Sequence, residues 1–335
     1  MSTSEMSTWP VRGLCIGVPK PDDWQPFTQM VSEVLPELGC NTMVLLIRYR
    51  YQFQSHPDVA DRGALSLSQA QELSRLCREH GIRLIPKMNL LGHQSERERG
   101  SELGLLRAYP DFDETPELDS VRYCRSLCPR HPQVKGVVFD LIDEMLDAFQ
   151  ADAIHIGTDE VFEIGHCPRC KGTPNATLFG DWISALHGHV TGKRGAELWM
   201  WGDRLLNAET TGYGEWEASA NHTWEAIDAL PRDIVMCDWH YEERETYPSI
   251  PTFAEQGFRL VACPWRNAKA ASLLLDYAIE QRATLPAGDK VLGILQTSWC
   301  DAGALARTLL GQPSAEGTPT LVAESFRALM GRLAP

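Results

Sequence analysis

Ala151-Asp152-Ala153-Ile154-His155-Ile156-Gly157-Thr158-Asp159-Glu160-Val161 begins as a strand and ends in two adjacent carboxylates. Ile154 and Ile156 alternate with His155 and Gly157, the period of two that a strand imposes. Gly157 frees the backbone to turn sharply or to approach another segment closely. Asp159 and Glu160 then stand side by side. Like-charge repulsion raises at least one pKa and favours a protonated acid beside an ionised partner. Taken alone, such a pair also suits a solvated loop start or a helix N-cap. The surrounding chain decides between these readings.

Outward from this stretch, strands alternate with helices. Apolar runs at 12–18, 41–47 and 82–88 precede it, and runs at 197–201, 233–238, 257–263 and 291–297 follow it. Unbroken apolar strands of this kind belong to a parallel sheet covered on both faces. Helical spacing of apolar residues predicts helices over 24–38, 66–80, 134–149, 178–190, 268–281 and 315–333. A long loop is expected from Gly92-His93 to about Pro132. Eight strands in one unbroken rhythm predict an α/β protein, a single (β/α)8 TIM barrel over residues 11–335 behind a loose tail over 1–10. The alternative is an open doubly wound sheet. No Gly-x-Gly-x-x-Gly turn follows the first strand, which counts against a dinucleotide-binding version.

The chain of 335 residues is 43% hydrophobic, enough for one large core, and its formal charge is −14. That balance, without a basic run, excludes a nucleic-acid role. No apolar stretch has the length of a membrane span. The first ten residues lack the basic and apolar regions of a signal peptide, so the expected location is cytoplasmic and reducing. Ten cysteines are present; Cys15, Cys40, Cys77 and Cys263 lie in apolar segments as buried free thiols. Homo-oligomerisation is left open.

Barrel enzymes carry their chemistry at the C-terminal ends of the strands. Those ends offer Lys20, then Arg48 and Arg50, Asn89 and His93, and Asp159 and Glu160. The later strands end at Trp201 and Asp203, Asp238-Trp239-His240-Tyr241, Trp265 with Arg266 and Asn267, and Trp299 with Asp301. One Trp at a strand end is usually core. Four at successive strand ends suit a pocket where aromatic faces stack on a pyranose and polar groups bind its hydroxyls.

With these residues in view, the chain resembles glycoside hydrolase family 20, the β-N-acetylhexosaminidases. Arg12-Gly13-Leu14 resembles the family's first barrel strand, and the segment 81–93 resembles its third-strand segment, which ends in Gly-His. Ser126-Leu127-Cys128-Pro129 is similar to a family loop. The segment 155–161 is similar to the catalytic signature His-x-Gly-Gly-Asp-Glu. Trp201-Gly202-Asp203 and Trp299-Cys300-Asp301 sit where the family places later pocket residues. The resemblance implies a (β/α)8 barrel, no cofactor, and retaining exo-hydrolysis of β-linked GlcNAc or GalNAc in an oligosaccharide or glycoconjugate. In that chemistry the substrate's 2-acetamido oxygen is the nucleophile. Asp159 would orient the acetamide and Glu160 would be the general acid and base. Lys20, His93, Trp201, Asp203, Trp239, Tyr241, Trp265, Trp299 and Asp301 would hold the sugar.

Four positions in three segments depart from the family pattern. Lys20 stands where the family has an Arg, and a Lys cannot make the forked contact. Pro86-Lys87-Met88-Asn89 replaces Pro-Glu-x-Asp. Thr158 replaces the second glycine of the signature. These changes motivate an alternative, a catalytically impaired sugar-binding barrel. A second alternative is a metal-dependent barrel hydrolase or isomerase built on His93, His155, Asp159 and Asp203. His155 alone reads as a satisfied core histidine. No metal is expected: Cys167-Pro168-Arg169-Cys170 has the spacing of half a structural zinc site, which Cys124 and Cys128 would complete, but packed free thiols or a redox-labile pair is the leading reading.

Overall fold

The computed structural model describes residues 9–313 and 316–333. Eight strands close a barrel in sequence order: β1 (Val11–Gly17), β2 (Thr42–Leu46), β3 (Arg83–Lys87), β4 (Ala153–His155), β5 (Glu197–Trp201), β6 (Val235–Trp239), β7 (Arg259–Cys263) and β8 (Val291–Thr297). Pairing is parallel, with Gly13 beside Thr42 between β1 and β2, and Leu14 beside Gln296 between β1 and β8. Met43, Val44, Leu45 of β2 and Leu260, Val261, Ala262, Cys263 of β7 are wholly buried, as strands covered on both faces require. The expected barrel is therefore the architecture observed.

The chain divides into two compact units. One comprises the chain up to Leu46, Glu72–Ile85 and Cys237 onward; the other comprises Ile47–Gln71 and Pro86–Met236. The first holds β1, β2, β7 and β8 with the helices Ala268–Thr284, Ala302–Leu309 and Thr318–Leu333. Its helical segment 24–37 runs through a wide turn at Met30–Val34. Pro36 has no N–H to give the Ser32 carbonyl, which accounts for the widening there. Trp9 is buried beneath the Arg282 guanidinium, 4.9 Å from its ring centre. The remainder of the tail expected over 1–10 lies, apart from Pro10, outside the described residues, as does Ala315 of the expected last helix.

The second unit holds β4, β5 and the helices Val134–Phe149 and Asn175–His187. Val134, Val138, Leu141, Ile142, Met145 and Phe149 line the buried face of the first, and Gln150 ends it in a left-handed conformation, φ 48°. The segment read from sequence as a long loop after β3 carries a short helix, Gly104–Ala108, and a 3-10 turn, Pro110–Phe112. It is built around Arg125, which is fully buried. Arg125 Nη1 donates to Asp113 Oδ2 and to the Thr115 carbonyl, each at 2.8 Å, and Nη2 donates to the Leu118 carbonyl at 2.5 Å. One buried guanidinium thus replaces the hydrogen bonds that regular structure would have supplied.

Candidate active site

β4 runs out at His155, a core histidine with no exposed surface. Its Nδ1 accepts the Gly157 N–H at 3.0 Å. Burial, with the Lys87 charge nearby, holds its pKa well below the ordinary imidazole value, so the ring is neutral. The chain then turns hard. Gly157 has φ 74°, and a Cβ there would lie 2.7 Å from Asn89 Oδ1 and 2.9 Å from the Met88 carbonyl oxygen. Thr158 at φ 74° and Glu160 at φ 50° also occupy the left-handed region. A β-branched residue there is strained, and such strain gathers at functional sites.

This turn presents Asp159 and Glu160 to His93. The loop after β3 brings His93 in through Gly92, whose Cβ position is only 2.9 Å from the Asp159 carbonyl oxygen. His93 is itself left-handed, φ 57°, and its N–H donates to Cys124 Sγ at 3.2 Å. His93 Nε2 lies 2.9 Å from Asp159 Oδ2 and 3.2 Å from Glu160 Oε2, and the three side chains are 12%, 13% and 15% exposed. Burial works against a charge on His93, but Asp159 and Glu160 outweigh it and raise its pKa to about 9. Burial likewise opposes ionisation of Asp159, yet His93 and then Lys87 hold its carboxyl well below the usual range. The repulsion expected within the acidic pair is met by an imidazolium shared between them.

A third acid nearby is shifted upward. Asp203 is pushed to about 6 by burial, against the pull of Arg204 and with the push of Asp159. Asp203 Oδ2 accepts the Glu160 N–H at 2.9 Å and Arg204 Nε at 2.7 Å. Arg204 Nη2 in turn donates to the carbonyls of Glu215, Trp216 and Ala218. Asp203 therefore fixes the turn from behind. Trp201 is buried, its ring centre 4.6 Å from that of His155 and 5.4 Å from Lys87 Nζ. Lys87, also buried, donates from Nζ to Asn89 Oδ1 at 2.6 Å. Sequence reasoning missed Tyr123, Phe162 and Trp216. Tyr123 stands edge-on to His93 at 5.6 Å and to Trp216 at 5.2 Å, and Phe162 meets Trp216 at 5.0 Å. Their signal was available only as aromatics in polar loops.

In the other unit, the later strand ends form a second cluster. Trp299 Nε1 donates to the Tyr241 hydroxyl at 2.7 Å, and Tyr241 lies 5.0 Å from Trp239 and 5.4 Å from Trp265 between ring centres. Trp299 has φ 29°. Lys20 Nζ is 2.8 Å from Asp301 Oδ2, an exposed pair, while Asp301 Oδ1 accepts the Ala304 N–H and caps the helix Ala302–Leu309. Lys20, and secondarily that cap, keep the Asp301 pKa low.

Two groups of side chains have metal-ligand chemistry among the described residues. One is His93, Asp159 and Glu160; His155 and Asp203, the other members expected of a metal-dependent site, are not in it. The second is Glu114, Cys128, Cys167 and Cys170. Here the sequence expectation is corrected. Cys124 is not the fourth member: its sulfur lies outside the group, beside the His93 N–H that it accepts, and Glu114 takes that place.

Residues 42–284 match the family model for the catalytic domain of glycosyl hydrolase family 20. A β-hexosaminidase of Akkermansia muciniphila is 28% identical over 121 residues, 34% of this chain and 23% of that protein. Among solved structures, a chitobiase of Flavobacterium johnsoniae superposes with a TM-score of 0.64 at 18% identity, covering 96% of this chain and 52% of its own. An exo β-N-acetylglucosaminidase of Vibrio harveyi, in complex with N-acetylglucosamine, gives 0.65 at 16% identity, covering 95% and 54%. The chain thus spans about half the length of these two structures, and at such identities they bear on the fold alone.

Proposed function

The chain belongs to glycosyl hydrolase family 20, and from that premise we propose that it is a retaining, exo-acting β-N-acetylhexosaminidase whose nucleophile is the substrate's own acetamide. The observation that carries this reading is the triangle of His93, Asp159 and Glu160, with His93 Nε2 2.9 Å and 3.2 Å from the two carboxylates. A double-displacement glycosidase needs two carboxyls facing each other across the bond, about 5 Å apart. Neighbours on one turn serve one side of the ring, which is enough when the substrate supplies the nucleophile.

In the proposed cycle the acetamide oxygen attacks the anomeric carbon as Glu160 gives its proton to the leaving glycosidic oxygen. Asp159 stays ionised, accepts the acetamide N–H and offsets the positive charge of the cyclised intermediate. Glu160 then takes a proton from water, which opens the ring with retention. His93, shared between the two carboxyls, offsets their paired negative charge at the intermediate, when Glu160 has given up its proton and Asp159 remains an anion. Trp239, Tyr241, Trp265 and Trp299 are proposed as sugar contacts, and their test is a rise in KM when each is truncated.

The decisive experiment is hydrolysis of p-nitrophenyl β-N-acetylglucosaminide and galactosaminide. Glu160→Gln should lower kcat by about 10²–10⁴-fold, the usual contribution of a positioned acid. Full activity in that variant would remove Glu160 from the role. A second reading, a barrel that binds amino sugars without turnover, draws on Lys20, whose ammonium is engaged with Asp301. Saturable binding of GlcNAc with no release from any aryl glycoside would favour it.

A further inference from the structure

Three sulfurs and one carboxylate oxygen gather away from the acidic pair. The ligand atoms of Glu114, Cys128, Cys167 and Cys170 all lie within 4.8 Å of one another, and all four residues are buried. Cys128 Sγ is 3.3 Å from Cys167 Sγ and 3.6 Å from Cys170 Sγ. Four ligands around a tetrahedral zinc with Zn–S bonds of about 2.3 Å have edges of about 3.8 Å. The observed separations approach that edge and are far beyond the roughly 2.05 Å of a disulfide. Three thiols would also leave one unpaired if two were oxidised.

Two further features favour a cation. The first is Glu114. Its Oε1 accepts the N–H groups of Gly165 and His166 at 2.8 Å and 3.0 Å, while Oε2 is buried, with the Cys167 and Cys170 thiols near the carboxylate but no donor on Oε2 in hydrogen-bond geometry. A buried carboxylate oxygen left unsatisfied is costly and calls for a partner. Its backbone-bonded sister oxygen holds the carboxylate in place, the support that metal ligands ordinarily receive. The second is the turn at Cys167-Pro168-Arg169-Cys170. The N–H groups of Cys170 and Lys171 both donate to the Cys167 carbonyl, at 3.0 Å and 2.8 Å, curling the segment so that both sulfurs face one point.

We propose that Glu114, Cys128, Cys167 and Cys170 form a structural zinc site. The ligands come from two loops. Glu114 and Cys128 lie on the segment between β3 and the helix Val134–Phe149, which also carries His93. Cys167 and Cys170 lie on the segment after β4, which carries Asp159 and Glu160. The ion would clamp one loop to the other, with four protein ligands and no open position for water, as structural sites have. Binding is coupled to thiol deprotonation, so affinity rises with pH.

The test is elemental analysis of full-length protein, expressed with zinc in the medium and purified under reducing conditions. The expected result is about one Zn2+ per chain, closed four-ligand sites holding a single ion. Glu114→Gln and the double variant C167S/C170S should each bind at least about tenfold more weakly. Cys124→Ser should keep the ion. Should the ligand variants fail to fold, the wild-type protein serves alone: after chelation and reduction, one equivalent of Co2+ should give a thiolate charge-transfer band. Metal at background level with no such band overturns the proposal. So does a disulfide among these residues in the protein as purified, or loss of metal in Cys124→Ser equal to that in C167S/C170S. None of these readouts uses hydrolysis, so the result stands apart from the hydrolase reading.

Discussion

Thr158 holds a backbone angle that suits glycine, φ 74°, with a branched side chain that is almost fully buried. Its hydroxyl donates to the Gly157 carbonyl oxygen at 2.5 Å, which returns part of the cost. Thr158→Gly should leave stability unchanged or raise it by up to about 1 kcal/mol, since residues at sparsely populated angles cost on the order of 1–3 kcal/mol. A urea melt measures this, and a loss above about 1 kcal/mol would show the hydroxyl bond to matter more than the strain. Gly157→Ala should destabilise markedly, because its Cβ has no room against Asn89 and Met88. His93 gives a pH signature with a definite sign. Its folded pKa of about 9 lies above the unfolded 6.5, so its stabilising effect is complete below about pH 6.5 and is lost as pH rises through about 9. The difference corresponds to on the order of 3 kcal/mol. Melts of wild type and His93→Gln should diverge on the acid side and converge on the alkaline side; parallel curves would place the imidazolium elsewhere. The acidic pair and the glycine before it were legible because strand period and charge are local signals. The inward role of Asp203 was not, since its partners, the Glu160 N–H and the Arg204 guanidinium, meet it only through folding.

Among the elements, the strands were legible throughout, because an unbroken apolar run has few alternatives once it is bounded by glycine and proline. The segment after β3 was not. Its order comes from Arg125, a charged residue that by composition alone belongs on a surface. Arg125→Leu should cost roughly 3–5 kcal/mol, the loss on removing one member of a buried ion pair, here leaving Asp113 and several carbonyls unmatched. Limited proteolysis should then cut within residues 95–125 before any other site. Resistance equal to wild type would mean that the segment is held by its apolar contacts instead. The same blindness hid Glu114. A four-residue cysteine set can be guessed from spacing, but a carboxylate that joins thiols across the chain leaves no periodic trace, and Cys124 was the nearer candidate in sequence.

For the whole molecule, the barrel was readable from eight repeats of one rhythm, a redundancy that tolerates errors at any single boundary. The ten cysteines extend this to a count. All are unpaired by disulfide, and nine are buried; Cys300 alone is partly accessible, and burial beside Asp301 pushes its thiol to about 11. A thiol reagent at neutral pH should therefore label Cys300 first and slowly, and reach all ten only after unfolding with a chelator present. Fewer than ten would reveal a disulfide. One feature bears on how such a protein could be altered. Gly92 sits against the Asp159 carbonyl, Glu114 holds the N–H groups of Gly165 and His166, and Glu163 accepts the Arg122 N–H at 3.0 Å. The excursions after β3 and β4 are thus one interlocked part. Exchange of either with a homologous insert would have to carry the other along, and recombination breakpoints in evolved chimaeras should avoid separating them.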